Sequence, residues 1–232
     1  MNILVTGASR GIGKSIAENL DGIIHAVGRN EELLKAYDNY CVCDLSTYEG
    51  MKTLGDYIDK NKIDVLINNA GAYIESPITK EIFLSDLDYM MMLNLHAPLY
   101  LISRAIPYMK AQGFGRIVNI GSISGVMGEA YASVYSATKS GLIGATKAIA
   151  LEVAEYGVTI NTINPGWVET DLGNESLNAN DFSKDEITSC IPQKRFIAPI
   201  EIANLVKYLI SKEAKGFTGQ SINLCAGLSV GY

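Results

Sequence analysis

The sequence predicts an α/β domain with a doubly wound, seven-stranded parallel sheet, and three observations carry that expectation. Short apolar runs alternate with longer segments of helical character along the 232 residues, the arrangement that βαβ units produce. The first run, Ile3-Leu-Val5, passes directly into a turn carrying Gly7, Gly11 and Gly13 and then into the helix-like Lys14–Leu20. No repeat, low-complexity tract or linker interrupts the chain, so residues 1–232 are read as one domain with right-handed crossovers.

The opening strand-turn-helix gives its glycines their meaning. Glycine lets the backbone bend sharply and approach a pyrophosphate, while the free N–H groups of the next helix face the negative charge. A dinucleotide is the expected ligand, with a turn that binds nothing as the alternative for the glycines alone. The spacing is G-x-x-x-G-x-G, not the general G-x-G-x-x-G fingerprint.

Gly22–Val27 reads as the second strand, broken by Gly28-Arg29-Asn30 before the helical Glu31–Ala36. Tyr40–Cys43 is the third, ending at Asp44-Leu45, and Ser46 is placed to cap a helix through Met51–Ile58. Asp64–Ile67 is the fourth strand and ends on Asn68-Asn-Ala-Gly71. A long helical region follows from Asp86 to Gln112, with Pro98 and Pro107 as kinks or boundaries and Met90–Leu93 as core packing. Arg116–Ile120 is strand five, ending at Gly121-Ser122, and the next helix runs from near Tyr135 to about Tyr156. Thr159–Ile163 forms strand six before Asn164-Pro165-Gly166, and Gly219–Leu224 is the seventh.

Apolar residues make up 48% and charged residues 19%, an ordinary globular balance, and the net charge of -6 disfavours a nucleic-acid role. No apolar run approaches a membrane span, and the start lacks a basic n-region. A soluble, cytoplasmic protein without a membrane role is expected. Cys41, Cys43, Cys190 and Cys225 form no C-x-x-C pair, so neither a metal site nor a disulfide framework is indicated. His25 and His96 stand near no Ser or Cys signature, which argues against a His-dependent hydrolase.

In an open α/β sheet ligands bind outside the carboxyl ends of the strands, where Gly7, Gly28, Asp44, Asn69, Ser122 and Pro165 fall by this reading. Tyr135-Ser-Ala-Thr-Lys139 adds a Tyr and a Lys four apart, on one helical face. Alone that pair is a weak signal; thirteen positions after Ser122 and behind this N-terminus it is strong.

Thr6–Gly13, Asn68–Gly71, Asn94, Ser122, Tyr135–Lys139 and Pro165-Gly166 resemble, in order and spacing, the motifs of the short-chain dehydrogenase/reductase family. The resemblance covers essentially the whole chain. The wording of Pro165–Asp171, Pro192 with Arg195, Glu201–Ala203 and Phe217–Asn223 is most similar to that of the 3-oxoacyl-[acyl-carrier-protein] reductases. It implies a single Rossmann-type domain, with Tyr135 passing a proton to or from a substrate oxygen while hydride moves to or from a nicotinamide. By the same resemblance Ser122 holds that oxygen, Lys139 tunes Tyr135 and binds the ribose, and Asn94 holds a water linking Lys139 to solvent. It also assigns Gly7, Ser9, Arg10, Gly11, Ile12, Gly13, Asp44, Leu45, Asn69, Gly71, Val168 and Thr170 to the cofactor. Singly, Ser122 reads equally as a turn residue, Asn94 as a bridge between backbone groups and Asp44 as a helix-starting residue.

NADP(H) is the expected cofactor. An NAD enzyme of this fold places an acid at the end of strand two; here that end is Val27-Gly28-Arg29, and arginine suits a 2′-phosphate. Glu31 or Glu32 serves as the ribose acid instead if the strand runs longer. Alternatives are an NAD-linked alcohol or sugar dehydrogenase and a catalytically silent dinucleotide-binding sensor or scaffold. The partner expected is a small-molecule carbonyl/alcohol substrate, under a lid at 173–195 that is long and polar. Small residues along Ser136–Ala150, with the family resemblance, imply a homotetramer or at least a dimer.

Overall fold

The computed structural model describes residues 1–79, 81–171, 173 and 183–230; of the expected lid, residues 174–182 lie outside them. Seven strands form one all-parallel sheet in the order β3-β2-β1-β4-β5-β6-β7. They are β1 (Asn2–Thr6), β2 (Ile23–Gly28), β3 (Asn39–Val42), β4 (Val65–Asn68), β5 (Gly115–Ile120), β6 (Val158–Pro165) and β7 (Ser221–Leu224). The order reverses between β1 and β4, which opens a crevice at the carboxyl ends of those two strands.

Strand pleating explains why both faces need covering. In β1, Ile3 and Val5 join the core that contains Ile16, Ala17, Ile202 and Val206, whereas Leu4 points into the one containing Leu54, Ile58, Leu101 and Met109. The first face is roofed by α1 (Gly11–Asn19) and α9 (Pro199–Leu209), the second by α3 (Tyr48–Asn61), α5 (Ala97–Gln112) and α7 (Ser133–Val153). Each such fully buried Ile or Leu contributes about 1.5–3 kcal/mol. Shorter helices are α2 (Glu31–Leu34), α4 (Leu84–Met91), α6 (Ser124–Met127) and α8 (Lys184–Cys190).

Two local expectations are corrected. Thr47, not Ser46, caps α3, accepting from the Gly50 N–H at 3.0 Å, because Ser46 turns back to Asp44, to which both its N–H (2.9 Å) and hydroxyl (2.7 Å) donate. The 86–112 region is not one helix: α4 passes into a π-helical turn, Met92–His96, before α5 begins. Pro98 sits in the first turn of α5, where a missing N–H costs little, and Pro107 lies inside that helix. All four cysteines are free thiols.

Candidate active site

The strand ends and the turns beyond them line one cavity of about 800 Å³. Gly7, Gly28, Asp44, Asn69, Ser122 and Pro165, the six strand-end positions, are all on its wall. So are Ser9, Arg10, Gly11, Ile12, Arg29, Leu45, Gly71, Tyr135, Lys139, Val168 and Thr170. Gly13 and Asn94 stand behind the wall, for separate reasons.

Gly13 is the point of closest packing in the first turn. A Cβ there would lie 2.2 Å from the Gly7 carbonyl oxygen and 2.4 Å from Asn69 Nδ2. Only a glycine lets α1 start this close to β1. Gly7 itself has φ +68°, and Asn69 donates its amide to the carbonyls of Thr6 (2.9 Å) and Gly7 (3.3 Å). Thr6 accepts the N–H groups of Asn69 and Ala70 at 2.9 Å each. The β1 and β4 turns are thereby one hydrogen-bonded unit. α1 starts at Gly11 with no side-chain cap, so its first N–H groups face the cavity with the helix's positive end.

At the end of β2, Gly28 pairs with Val42 and Asn30 caps α2. This settles the register: Arg29 follows the strand directly, and Glu31 and Glu32 belong to α2. The Arg29 guanidinium stands 3.8 Å from Asp44, both side chains largely exposed, an ion pair of little worth in water. Burial opposes ionisation of the Asp44 carboxyl, but the two Ser46 hydrogen bonds and the Arg29 charge outweigh it and hold Asp44 below the usual carboxylate range. Asp44 therefore does start the turn into α3 while also reaching the cavity.

Asn94 lies in the π-helical turn and is buried. Its side chain bridges backbone, accepting from Ala72 N (2.9 Å) and donating to Ala72 O (2.9 Å) and to Thr138 Oγ1 (3.3 Å). It ties the loop after β4 to α7, near Lys139. A Cβ on Gly71 would lie 3.2 Å from Asn94 Oδ1 and 3.4 Å from Lys139 Nζ.

Tyr135 and Lys139 occupy the first turns of α7, with Lys139 Nζ 5.6 Å from the Tyr135 ring centre and donating to the Ile120 carbonyl at 3.0 Å. Burial pushes the Tyr135 phenol up to about 12, against the lowering effect of its hydrogen bond with Ser122; Glu129 and Tyr73 raise it further. Burial also brings Lys139 down to about 8. Ser122 donates to Ser124 Oγ at 3.0 Å and accepts the Ser124 N–H at 3.2 Å.

Several wall residues escaped the sequence reading: Tyr73, whose ring meets Tyr135 edge-on at 5.3 Å, and Ser124, Met127, Glu129, Trp167 and Leu228. Trp167 stacks on Phe196 at 5.8 Å. Only their place between or beside the motif residues could have signalled them.

A hydroxyl, a phenol and an ammonium gathered beside a glycine-lined helix start is the arrangement that the sequence motifs lead one to expect, and a model of the short chain dehydrogenase family matches residues 1–181. The chain belongs to the short-chain dehydrogenase family. It is thus an oxidoreductase acting on a carbonyl/alcohol pair. This short-chain dehydrogenase is 39% identical to the 3-oxoacyl-[acyl-carrier-protein] reductase FabG of Rickettsia bellii (strain RML369-C), over 97% of this chain and 95% of that one. It is 36% identical to the FabG of Vibrio harveyi, over 97% and 96%. Among solved structures it is similar to a protein assigned as an NAD(P)-dependent gluconate 5-dehydrogenase from Beutenbergia cavernae, with NADP bound at low occupancy. There the TM-score is 0.90 and the identity 29%, covering 99% of this chain and 97% of that one. YwfH, an NADPH-dependent reductase of bacilysin biosynthesis, gives a TM-score of 0.90 at 28% identity, covering 100% and 99%.

Proposed function

We propose that the protein transfers hydride between NADP(H) and a small carbonyl/alcohol substrate, with Tyr135 as the proton donor and acceptor. The observation that carries this reading is the convergence of Ser122, Tyr135 and Lys139 in the cavity that also holds the Gly7–Gly13 turn. Bound there, the nicotinamide supplies the hydride chemistry. The protein's part is to place Ser122 and Tyr135 on the substrate oxygen and to keep Lys139 beside the phenol. A lysine charge close to a phenol favours its ionised form, which offsets the burial that raises the phenol. Asn94 keeps the loop carrying Gly71 against Lys139, and its proposed water contact adds a route for the proton to solvent.

Cofactor choice is assigned to Arg29 and Arg10. Gly28 presents no carboxylate to a 2′-phosphate, and Arg29 follows it on the cavity wall. On the same reading Asp44 and Leu45 would hold the adenine, Asn69 the adenosine ribose, and Val168 and Thr170 the carboxamide; all five line the cavity. The NADP of the gluconate-dehydrogenase structure and the NADPH dependence of YwfH favour the same cofactor. The FabG relatives favour a 3-oxoacyl substrate. We further propose a homotetramer, or a dimer, in the cytoplasm; the four free thiols suit a reducing compartment.

Titration with both reduced cofactors tests this reading. NADPH is expected to bind more tightly than NADH, and Arg29→Ala to weaken NADPH by about 10- to 100-fold while leaving NADH nearly untouched. Equal affinities in the wild-type protein, or tighter NADH, would refute the assignment and favour the NAD-linked alternative. Oxidation of NADPH by a panel of β-ketoacyl thioesters, ketones and keto-sugars separates an enzyme from a silent cofactor-binding protein.

A further inference from the structure

Between Ser122 and Tyr135 the chain makes α6 and a short loop that brings Glu129 to the cavity wall. Ser124 donates its hydroxyl to one oxygen of the Glu129 carboxylate, and Ser122 donates to Ser124 at 3.0 Å. A carboxylate only accepts, so the one proton of Ser124 is committed to Glu129. The carboxylate is thereby held two hydrogen bonds from Ser122. Its field is felt at Tyr135.

Glu129 is half-buried and forms no ion pair among the described residues. Asp44 and Asp171 add further carboxylates to the same wall, where the cations among the described residues are Arg10, Arg29 and Lys139. The first two stand beyond the ends of β1 and β2, and the third lies beside Tyr135.

We propose that Glu129 is a specificity determinant: it selects carbonyl compounds, and the matching alcohols, that carry a hydrogen-bond donor, a hydroxyl or an ammonium, a few carbons from the reacting carbon. The inference rests on the reading of Ser122 and Tyr135 as the groups that hold the substrate oxygen. Two hydrogen bonds end to end span at most about 6 Å, so the carboxylate lies within that distance of Ser122, a span that a short carbon chain bridges. A donor at that point meets the carboxylate oxygen that Ser124 does not use. An unsubstituted alkyl chain at that point offers nothing to the carboxylate and removes water from a charged group. A carboxylate on the substrate is repelled outright.

The test uses the full-length protein with NADPH and four ketones of matched size: unsubstituted, hydroxyl-bearing, amino-bearing and carboxylate-bearing. kcat/KM is measured for the wild type, Glu129→Gln and Glu129→Ala, and calorimetry of the same compounds on the enzyme–NADP⁺ complex runs in parallel. The wild type is expected to favour a donor-bearing ketone over the unsubstituted one by about 10- to 100-fold and to rank the carboxylate-bearing one last. In Glu129→Ala these ratios fall to within about threefold. Glu129→Gln, which keeps the side-chain volume, retains part of a preference for hydroxyl and loses one for ammonium, which tells the two donors apart. Ratios unchanged in both variants, or a wild type indifferent to the donor, would overturn the proposal while leaving the reductase reading intact. Should no ketone be reduced, the reductase reading falls, and calorimetry alone decides: donor binding that depends on Glu129 upholds the specificity, and binding indifferent to it overturns it.

Discussion

Tyr135 and Lys139 share a site that works against the charge of each: burial takes the phenol up to about 12 and the ammonium down to about 8. The lysine shift has a consequence for stability. An unfolded lysine keeps its proton up to about 10.5, whereas the folded one releases it near 8. Between those values the unfolded state holds more protons, so stability rises with pH. The full difference is about 3 kcal/mol. The Tyr135 shift acts in the opposite sense, because above pH 10 the unfolded phenol ionises and the folded one does not. The window that belongs to Lys139 is therefore about pH 8 to 10. Melting curves should show wild-type stability climbing through that window relative to Lys139→Met; parallel curves for the two proteins would contradict the burial of the charge. Tyr135→Phe keeps the ring packed against Tyr73 and should retain NADPH binding while losing turnover by about 10²- to 10⁴-fold. Near wild-type turnover in that variant, on a substrate the enzyme uses, would remove Tyr135 from the mechanism.

At the scale of elements, the β1 turn and α1 are the most constrained part of the site. Gly13 stands where a methyl group would enter the Gly7 carbonyl and the Asn69 amide, both fixed by backbone or hydrogen bonds. Gly13→Ala should therefore cost about 1–3 kcal/mol of stability, as overpacking does, and also weaken NADPH, since relief requires the turn to move. Denaturant unfolding and a cofactor titration check both, and a variant with wild-type values in each would show that the turn tolerates a Cβ. Strand and helix identities along the chain were legible because strands such as β1 and β4 are short apolar runs followed by turn residues, and the more polar β6 and β7 carry β-branched residues bounded by turn signals. Boundaries were not: Thr47 displaced Ser46 as the α3 cap because Asp44 claimed the serine first. The π-helical turn at Met92–His96 has no pattern in its residue types, since it follows from how Asn94 docks on Ala72 and Thr138.

For the whole molecule, the stripe that α7 leaves uncovered is the feature to explain. Ala137, Gly144, Ala148 and Leu151 are exposed on that helix, Leu151 at 88%, and a Cβ on Gly144 would meet nothing within 4 Å. Small residues in such a row allow a second helix to approach closely, which is the basis for the proposed subunit contact. Light scattering is expected to give a mass of two or four times 25.1 kDa; a stable monomer at assay concentration would refute the assembly. Leu151→Glu places a charge at the C-terminal end of that stripe and should shift the mass towards the monomer.

What the sequence by itself determined is the part of this protein encoded locally: the alternation of apolar runs and helices, the glycine turn after β1, and the Ser122, Tyr135, Lys139 spacing. Each depends on residues close in the chain, whose periodicity and turn chemistry are readable without coordinates. Only the tertiary structure decided what neighbours across the fold do to one another. It showed that Asn94 is occupied by Ala72 and that Arg29 leans on Asp44. It also revealed that Glu129, unremarked in the sequence, is clamped by Ser124 at the wall beside Ser122. Those relations arise where strand ends and loops meet in one cavity: Asn94 docks on a loop 22 residues earlier, and the Ser124–Glu129 contact, though five residues apart, depends on how the loop after α6 folds onto the wall.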